Sequence, residues 1–393
     1  MGDNTARKPH VLLIYRVMIP SIRLCGHAQM EALARQGVVE YRAVQEMRLR
    51  TDDLDWADLV LLGRLDSWYE RRLTRMLKGS GRFLAYILDD DLLNIPLNVS
   101  SASFYAQPGI QHNIRDMIAM SDGIVSPSPR LLEKYATDGR AAIRIEEPAL
   151  DPVAYRPHEP GAPVKIGFAG SIDRTEDIEK ILKQALLRIK AEYGGKVRFE
   201  FFGAVPAFAN QLDAKCVPYS EDYDHYRQKL NELAWDIGLA PMPGTPFHAC
   251  KHYNKFCEYA AAGIAGVYSD CEPYTFIPDR ERYGRFCAND SQMWYEQIRS
   301  SIEDAVTREA QRQKCCEIAA HELSPESVGQ ELFREYPALF QPVQALPISK
   351  RGTLAVLKAC NLVALTVERL HRYGLRAPVV VIQKTVARIR SKH

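Results

Sequence analysis

Short apolar runs alternate with amphipathic stretches along the first half of the chain. Residues 10–15 (HVLLIY), 38–44 (VVEYRAV), 58–63, 82–88 and 122–128 are apolar blocks of strand length. Between them, 21–37, 67–79 and 129–136 carry apolar residues at helical spacing, the first stopping at Gly37 and the last starting on Pro129. This alternation predicts a parallel sheet with helices on both faces. Residues 146–163 (EEPALDPVAYRPHEPGAP) hold five prolines and read as a connection between domains.

The alternation then restarts. Strands are expected at 164–171 (VKIGFAGS), 197–203, 236–242 and 265–270, and helices at 175–195, 222–232, 251–262, 290–304 and 305–321. The expected fold class is therefore α/β, with two Rossmann-like, doubly wound domains facing a cleft. The first spans 1–150, a linker 151–163 and the second 164–344, with a basic helical tail over 345–393. Ligands in such sheets bind beyond the carboxyl ends of the strands.

Composition narrows the class. Of 393 residues, 46% are hydrophobic and 25% charged, as in a globular protein. Nine cysteines without a CxxC pair argue against a disulfide framework or a zinc cluster, and the simplest compartment is a reducing cytosol. The apolar run near the start is too short for a signal-peptide core or a membrane span. Of the 51 Lys/Arg and 49 Asp/Glu, ten and one lie in 345–393, so the tail carries +9 and the remainder −7. Basic residues flanking apolar stretches favour an anionic membrane surface; the alternative is a C-terminal helix packing back on the first domain. Nucleic acid is not expected, because aromatic platforms are absent and the body is acidic.

Four stretches carry candidate chemistry. In KHYNKFCEYAAAG (251–263), Lys251, Lys255 and Glu258 fall on one face of the expected helix. Its first-turn amides, expected near 249–251, and the two ammonium groups suit a diphosphate, and Glu258 suits ribose hydroxyls. The bland alternative is a solvated face. In FAGSIDRTED (168–177), Gly170 and Ser171 stand where a strand hands over to a helix, which lets backbone approach a phosphate, and Arg174 can reach the cleft. Gly203 ends the next strand, a place for a nucleobase neighbour.

In LDDDLLNIP (88–96), Asp89, Asp90 and Asp91 end a buried strand. Adjacent carboxylates can raise a pKa, which suits acid–base work or acceptor binding, whereas a helix N-terminus would explain them equally well. Arg23 and His27 share a face of the first helix, as acceptor-phosphate ligands or as surface residues. His248, Cys250 and His252 are metal-ligand types, but further ligands are lacking nearby, so no metal is expected.

Taken together, KIGFAGS, FEFFG, DIGLAPMPGTPF and KHYNKFCEYAAAG resemble the donor domain of GT-B glycosyltransferases, most nearly family 4-like enzymes of bacterial surface polysaccharides. SIRLCGHAQMEAL, ILDDDLLNIP and SDGIVSPSPRLLEKY resemble the acceptor domain. The family pairs two glutamates eight positions apart. The second maps onto Glu258, while the first falls on Cys250.

The resemblance implies a glycosyltransferase moving a sugar from a nucleotide diphosphate sugar to a glycan or lipid-linked acceptor, with retention and without metal or cofactor. Gly170, Ser171, Arg174, Gly203, Lys251, Asn254, Lys255 and Glu258 would bind the donor. Arg23, His27 and Asp89 would bind the acceptor. Asp90, Asp91 and Lys255 would carry the chemistry. The expected location is cytoplasmic, peripheral on the inner membrane face through 345–393. Two rivals are a metal-dependent GT-A transferase using Asp89–Asp91 and a silent scaffold that binds nucleotide or membrane.

Overall fold

The computed structural model describes residues 7–348 and 354–363. They form two lobes, each built on a six-stranded parallel sheet. The first sheet contains β1 (His10–Tyr15), β2 (Glu40–Gln45), β3 (Leu59–Gly63), β4 (Phe83–Ile87), β5 (Gly123–Ser126) and β6 (Ala141–Arg144), in the order β2-β1-β3-β4-β5-β6. The second contains β7 (Val164–Gly170), β8 (Val197–Gly203), β9 (Lys215–Val217), β10 (Ile237–Ala240), β11 (Ala265–Ser269) and β12 (Gly284–Cys287), in the order β12-β11-β10-β7-β8-β9.

The longer helices around these sheets are α1 (Ala28–Arg35), α2 (Trp68–Leu77), α3 (Pro108–Met120), α4 (Pro129–Tyr135), α5 (Thr175–Tyr193), α6 (Tyr223–Leu233), α7 (Asn254–Ala261), α8 (Ser291–Glu303), α9 (Ala305–Ala320) and α10 (Pro325–Glu335).

Continuous apolar runs become central strands because both faces of each sheet are covered. Leu12, Ile14, Val60, Leu62, Leu84 and Tyr86 belong to the core on one face. Their neighbours Val11, Leu13, Leu59, Leu61, Ala85 and Ile87 belong to the core on the other. The second sheet divides alike: Phe168, Phe199, Phe201 and Leu239 face one core, Ala169, Phe202 and Ala240 the other.

Three local expectations change. The helix expected over 21–37 breaks at Cys25 and Gly26, whose φ is +156°; a Cβ on Gly26 would stand 3.1 Å from Ile87 Cδ1. Gly26 N–H donates to Gln29 Oε1 instead of continuing the helix. The helix expected from 251 starts at Asn254, because Pro246–Ala249 forms its own short turn of helix capped by the Thr245 hydroxyl. Strands β6, β9 and β12 and helices α3 and α10 escaped the sequence pattern. β6 and β9 are short edge strands with only partial burial, so their apolar signal is weak.

After α9 the chain returns to the first lobe. Helix α10 packs on α1, and the Tyr336 hydroxyl accepts from Arg144 N–H. Val343 and Ile348 N–H groups donate to Asp58 and Asp55. The boundary expected at 344 falls inside this returning segment. Leu354, 3% exposed, joins the first lobe's core, and Lys358 Nζ donates to Leu49 O at 2.5 Å. The start of the tail thus packs on the first lobe, while 364–393, with most of its basic residues, lies outside the described residues. No helix among the described residues is long and apolar enough to cross a membrane.

Candidate functional site

A cavity of about 190 Å³ opens at the carboxyl ends of β7 and β8. Gly170, Ser171 and Gly203 supply its floor, and Asn254, Lys255 and Glu258 of α7 one wall. Tyr219, Tyr223 and Tyr226 close the far side, and Pro20, after β1, reaches in from the first lobe. Six of the eight residues expected to contact a donor therefore line one cavity. Among the described residues a larger polar groove of about 750 Å³ lies beside it along α6 and the linker, and contains none of those eight.

Gly203 is required by geometry. Its φ is +89°, and a Cβ there would lie 2.2 Å from Gly170 O. Gly203→Ala is expected to lower stability by about 1–3 kcal/mol and to displace the Gly170–Ser171 turn. Thermal melts with and without nucleoside diphosphate check it; an unchanged ligand-induced shift would separate Gly203 from the site.

Helix α7 enters the cavity with its N-terminus. Its N-cap, Tyr253, makes no side-chain bond to the first-turn amides. In its first turn, Lys255 Nζ stands 2.5 Å from Glu258 Oε2 and 2.9 Å from the Tyr226 hydroxyl, which itself donates to Glu258 at 2.7 Å. The Glu258 side chain is 9% exposed. Burial first, then Glu258, pushes the Tyr226 phenol well up, so it stays a donor. A buried carboxylate, an ammonium and a phenol thus hold one another in fixed directions at the cavity wall. The sequence reading missed Tyr223 and Tyr226, for which the i, i+3 spacing on one face of the expected helix was the available signal; in the structure their rings stack 5.9 Å apart.

Lys251 and Arg174 do not line this cavity. Lys251 precedes α7 rather than sharing its face, and it crosses the cleft to Asp90 at 2.8 Å. Arg174 donates to Pro241 O at 2.7 Å and stands 3.2 Å from Asp177. Both act on His248, whose imidazole is pushed down to about 4, by burial first and then by Arg174 and Lys251. His248 is therefore neutral beside two cations.

The aspartate run separates into three posts. Asp89 meets the Arg64 guanidinium at 2.8 Å, and Arg64 itself holds a φ of +48° at the end of β3. Asp91, 2% exposed, takes Lys134 Nζ at 2.6 Å, the Tyr135 hydroxyl at 2.5 Å and Asn94 Nδ2 at 2.9 Å. Asp90 is the most exposed of the three and faces the second lobe through Lys251. Each carboxylate has its own cation, so the expected mutual repulsion is offset. Asp91 anchors α4 and is closed to an incoming acceptor. Arg64 and Lys134 were not singled out in the sequence because their partners come from other elements.

The expectation that Arg23 and His27 share one helical face fails, because the chain kinks between them. Arg23 reaches Asp224 of the second lobe at 2.5 Å. His27 turns to the Tyr41 hydroxyl of edge strand β2 at 2.8 Å, and burial lowers its pKa. Cys250, at the position of the family's first glutamate, packs into the first lobe's core, and burial and then Asp91 raise its thiol. The zinc-like trio does not converge, since His248 pairs with Thr245 and Cys250 lies in that core. Among the described residues one group brings three ligand types together, Glu146, His252 and Cys257, with donor atoms within 4.8 Å of one another. Its imidazole sits between two carboxylates, an arrangement that favours a proton on each nitrogen rather than a lone pair for a metal.

The two-lobed architecture is shared with solved structures. A glycosyltransferase from Rickettsia africae ESF-5 aligns with a TM-score of 0.56 at 12% identity, covering 85% of this chain and 99% of that one. Sucrose-phosphate synthase from Thermosynechococcus elongatus gives 0.57 at 10%, over 84% and 99%. HepE of Anabaena in complex with UDP-glucose gives 0.54 at 11%, over 85% and 100%. The fold is GT-B. A UDP-N-acetylglucosamine 2-epimerase, described as putative, from Listeria monocytogenes has the same GT-B architecture, with a TM-score of 0.51 at 11% identity over 84% and 97%. Fold alone thus does not choose the reaction. No family model matches the chain, and no curated protein matches it. The metal-dependent GT-A alternative is not supported: there are two sheets rather than one, and the aspartates are bound to side-chain cations.

Proposed function

We propose that the protein is a glycosyltransferase that moves a sugar from a nucleotide diphosphate sugar to a glycan-bearing acceptor. The observation that carries this reading is the single cavity lined by Gly170, Ser171, Gly203, Asn254, Lys255 and Glu258. Lys255 and the first-turn amides of α7 neutralise the leaving diphosphate, with Arg174 and Lys251 adding positive potential from the cleft side. Glu258 accepts from ribose hydroxyls, its direction fixed by Tyr226. Side-chain cations thereby do the work a divalent ion does elsewhere, so turnover is expected without metal. Asp90 orients or deprotonates the acceptor hydroxyl once Lys251 turns to the diphosphate. Retention follows from the family resemblance. HepE, solved with UDP-glucose, makes UDP the first nucleotide to try.

The acceptor is proposed to be lipid-linked. Val17, Trp68, Leu97 and Phe104 are exposed by 37–91%. They follow the central strands β1, β3 and β4, Trp68 as the first residue of α2, and so leave the carboxyl-terminal end of the first sheet. Apolar side chains gathered there suit an acceptor with an apolar chain.

The test is a thermal-shift panel of UDP, GDP, ADP, CDP and their sugars on the full chain, with and without EDTA. One base is expected to stabilise the protein by about 2.7 kcal/mol at a hundredfold excess over Kd, unchanged by EDTA. Turnover of that nucleotide sugar, followed as transfer, hydrolysis or epimerisation, then separates transferase from epimerase and from silent scaffold. A panel without any shift would defeat the proposal.

A further inference from the structure

Between Arg144, at the end of β6, and Val164, at the start of β7, the chain crosses from one lobe to the other. The first acidic residues of this crossover turn inward. Glu146 and Glu147 have side chains only 17% and 4% exposed. His252, two residues before α7, stands between them. Its Nε2 is 2.8 Å from Glu146 and its Nδ1 3.2 Å from Glu147. Neighbouring groups complete the cluster. The Tyr253 hydroxyl donates to Glu146 at 2.8 Å, and the Cys25 thiol donates to Glu147 Oε1 at 2.9 Å. Gln29 Nε2 donates to Glu146 O at 2.7 Å, and the Cys257 thiol reaches Glu147 O at 3.7 Å. Arg144 stands 3.8 Å from Glu146, and Glu331 of α10 feels the field of both.

Three parts of the fold therefore meet at one imidazole: the kinked segment of the first lobe, the crossover, and the entrance to α7. We propose that His252 is a positioning residue that pins α7, and with it Lys255 and Glu258, to the crossover between the lobes. The inference rests on reading the cavity as the donor site. His252 does not line the cavity and acts through the helix it precedes. A charged imidazole is what two buried carboxylates require, since an uncompensated buried charge is strongly unfavourable. Burial pushes the His252 pKa down, but Glu147 and then Glu146 outweigh it and raise it to about 9. Because the folded value lies above the unfolded one, the clamp is complete below about pH 6.5 and is lost as pH rises through about 9.

The experiment compares the full-length wild type, His252→Gln and the double variant His252→Gln/Glu147→Gln. The double variant removes a carboxylate along with the histidine, so that loss of folding does not obscure loss of positioning. UDP, GDP, ADP and CDP affinities are measured from pH 7 to 10, and imidazole ring signals are followed by nuclear magnetic resonance. The ring is expected to remain doubly protonated beyond pH 8. Wild-type affinity for the preferred nucleotide is expected to hold to pH 8 and then fall about tenfold, within the usual range of coupling between sites. The double variant is expected to bind about tenfold more weakly at pH 7, with a flat pH profile. Wild-type affinity and pH profile in the double variant would overturn the proposal. So would a neutral ring at pH 7, or one equivalent of zinc bound by the cluster. If the wild type binds none of the four nucleotides, the donor reading falls and the positioning role with it, while the ring signal still reports whether the clamp itself exists.

Discussion

Lys255→Ala is expected to lower kcat/KM for the nucleotide sugar by roughly 10²–10³, equivalent to about 3–4 kcal/mol, and to abolish most of the thermal shift given by the nucleoside diphosphate. Lys255 is the cation that lines the cavity itself, and it enters from the positive end of α7. Its ammonium is held by Glu258 and Tyr226, so little ordering remains to be done when the ligand arrives. The same substitution leaves Glu258, 9% exposed, with Tyr226 alone, which costs about 1–3 kcal/mol of stability. Lys255→Gln, which keeps a neutral donor near Glu258 and leaves Glu258 in place, separates the two effects: stability is largely retained and nucleotide binding is not. Full nucleotide affinity in Lys255→Ala, measured by calorimetry, would remove the diphosphate from this wall of the cavity.

Asp90→Asn is the second substitution with a large expected effect, and its signature is a split. Turnover should fall by roughly 10²–10⁴, the usual contribution of a positioned general base. Nucleoside diphosphate affinity should be unchanged or tighter, because Lys251 loses its partner across the cleft and is free for the diphosphate. Asp89→Asn and Asp91→Asn should behave differently. Asp89→Asn leaves Arg64 facing a neutral amide in a largely buried place, while Asp91→Asn weakens the buried anchor that holds the Tyr135 hydroxyl and the more exposed Lys134, and each should lower the melting temperature. Equal activity of Asp90→Asn and wild type would exclude a role for Asp90 in the chemistry.

How much of this was legible in the sequence differs by element. The runs HVLLIY and VKIGFAG announced β1 and β7 because a parallel strand buried on both faces must be apolar at nearly every position. Edge strands β6 and β9 gave no comparable signal, since their neighbours cover them on one side only. Gly203, Lys255 and Glu258 could be singled out because each sits at a place that topology dictates: the carboxyl end of a strand, or the first turns of the following helix. Lys251 could not be placed, because whether a helix begins at 251 or at 254 depends on how Thr245 caps the short turn before it. His27 was drawn into the site by a helical period that Gly26 interrupts.

The sequence by itself determined the α/β class, the two strand–helix series and the stretches that supply the cavity wall. These follow from local periodicity, which burial imposes residue by residue. Only the tertiary structure decided which charges neutralise which: Asp90 with Lys251, Asp89 with Arg64, Asp91 with Lys134, and His252 between Glu146 and Glu147. Those pairings join residues distant in the chain, and the energy of a buried charge depends on its partner a few ångströms away rather than on its neighbours in sequence.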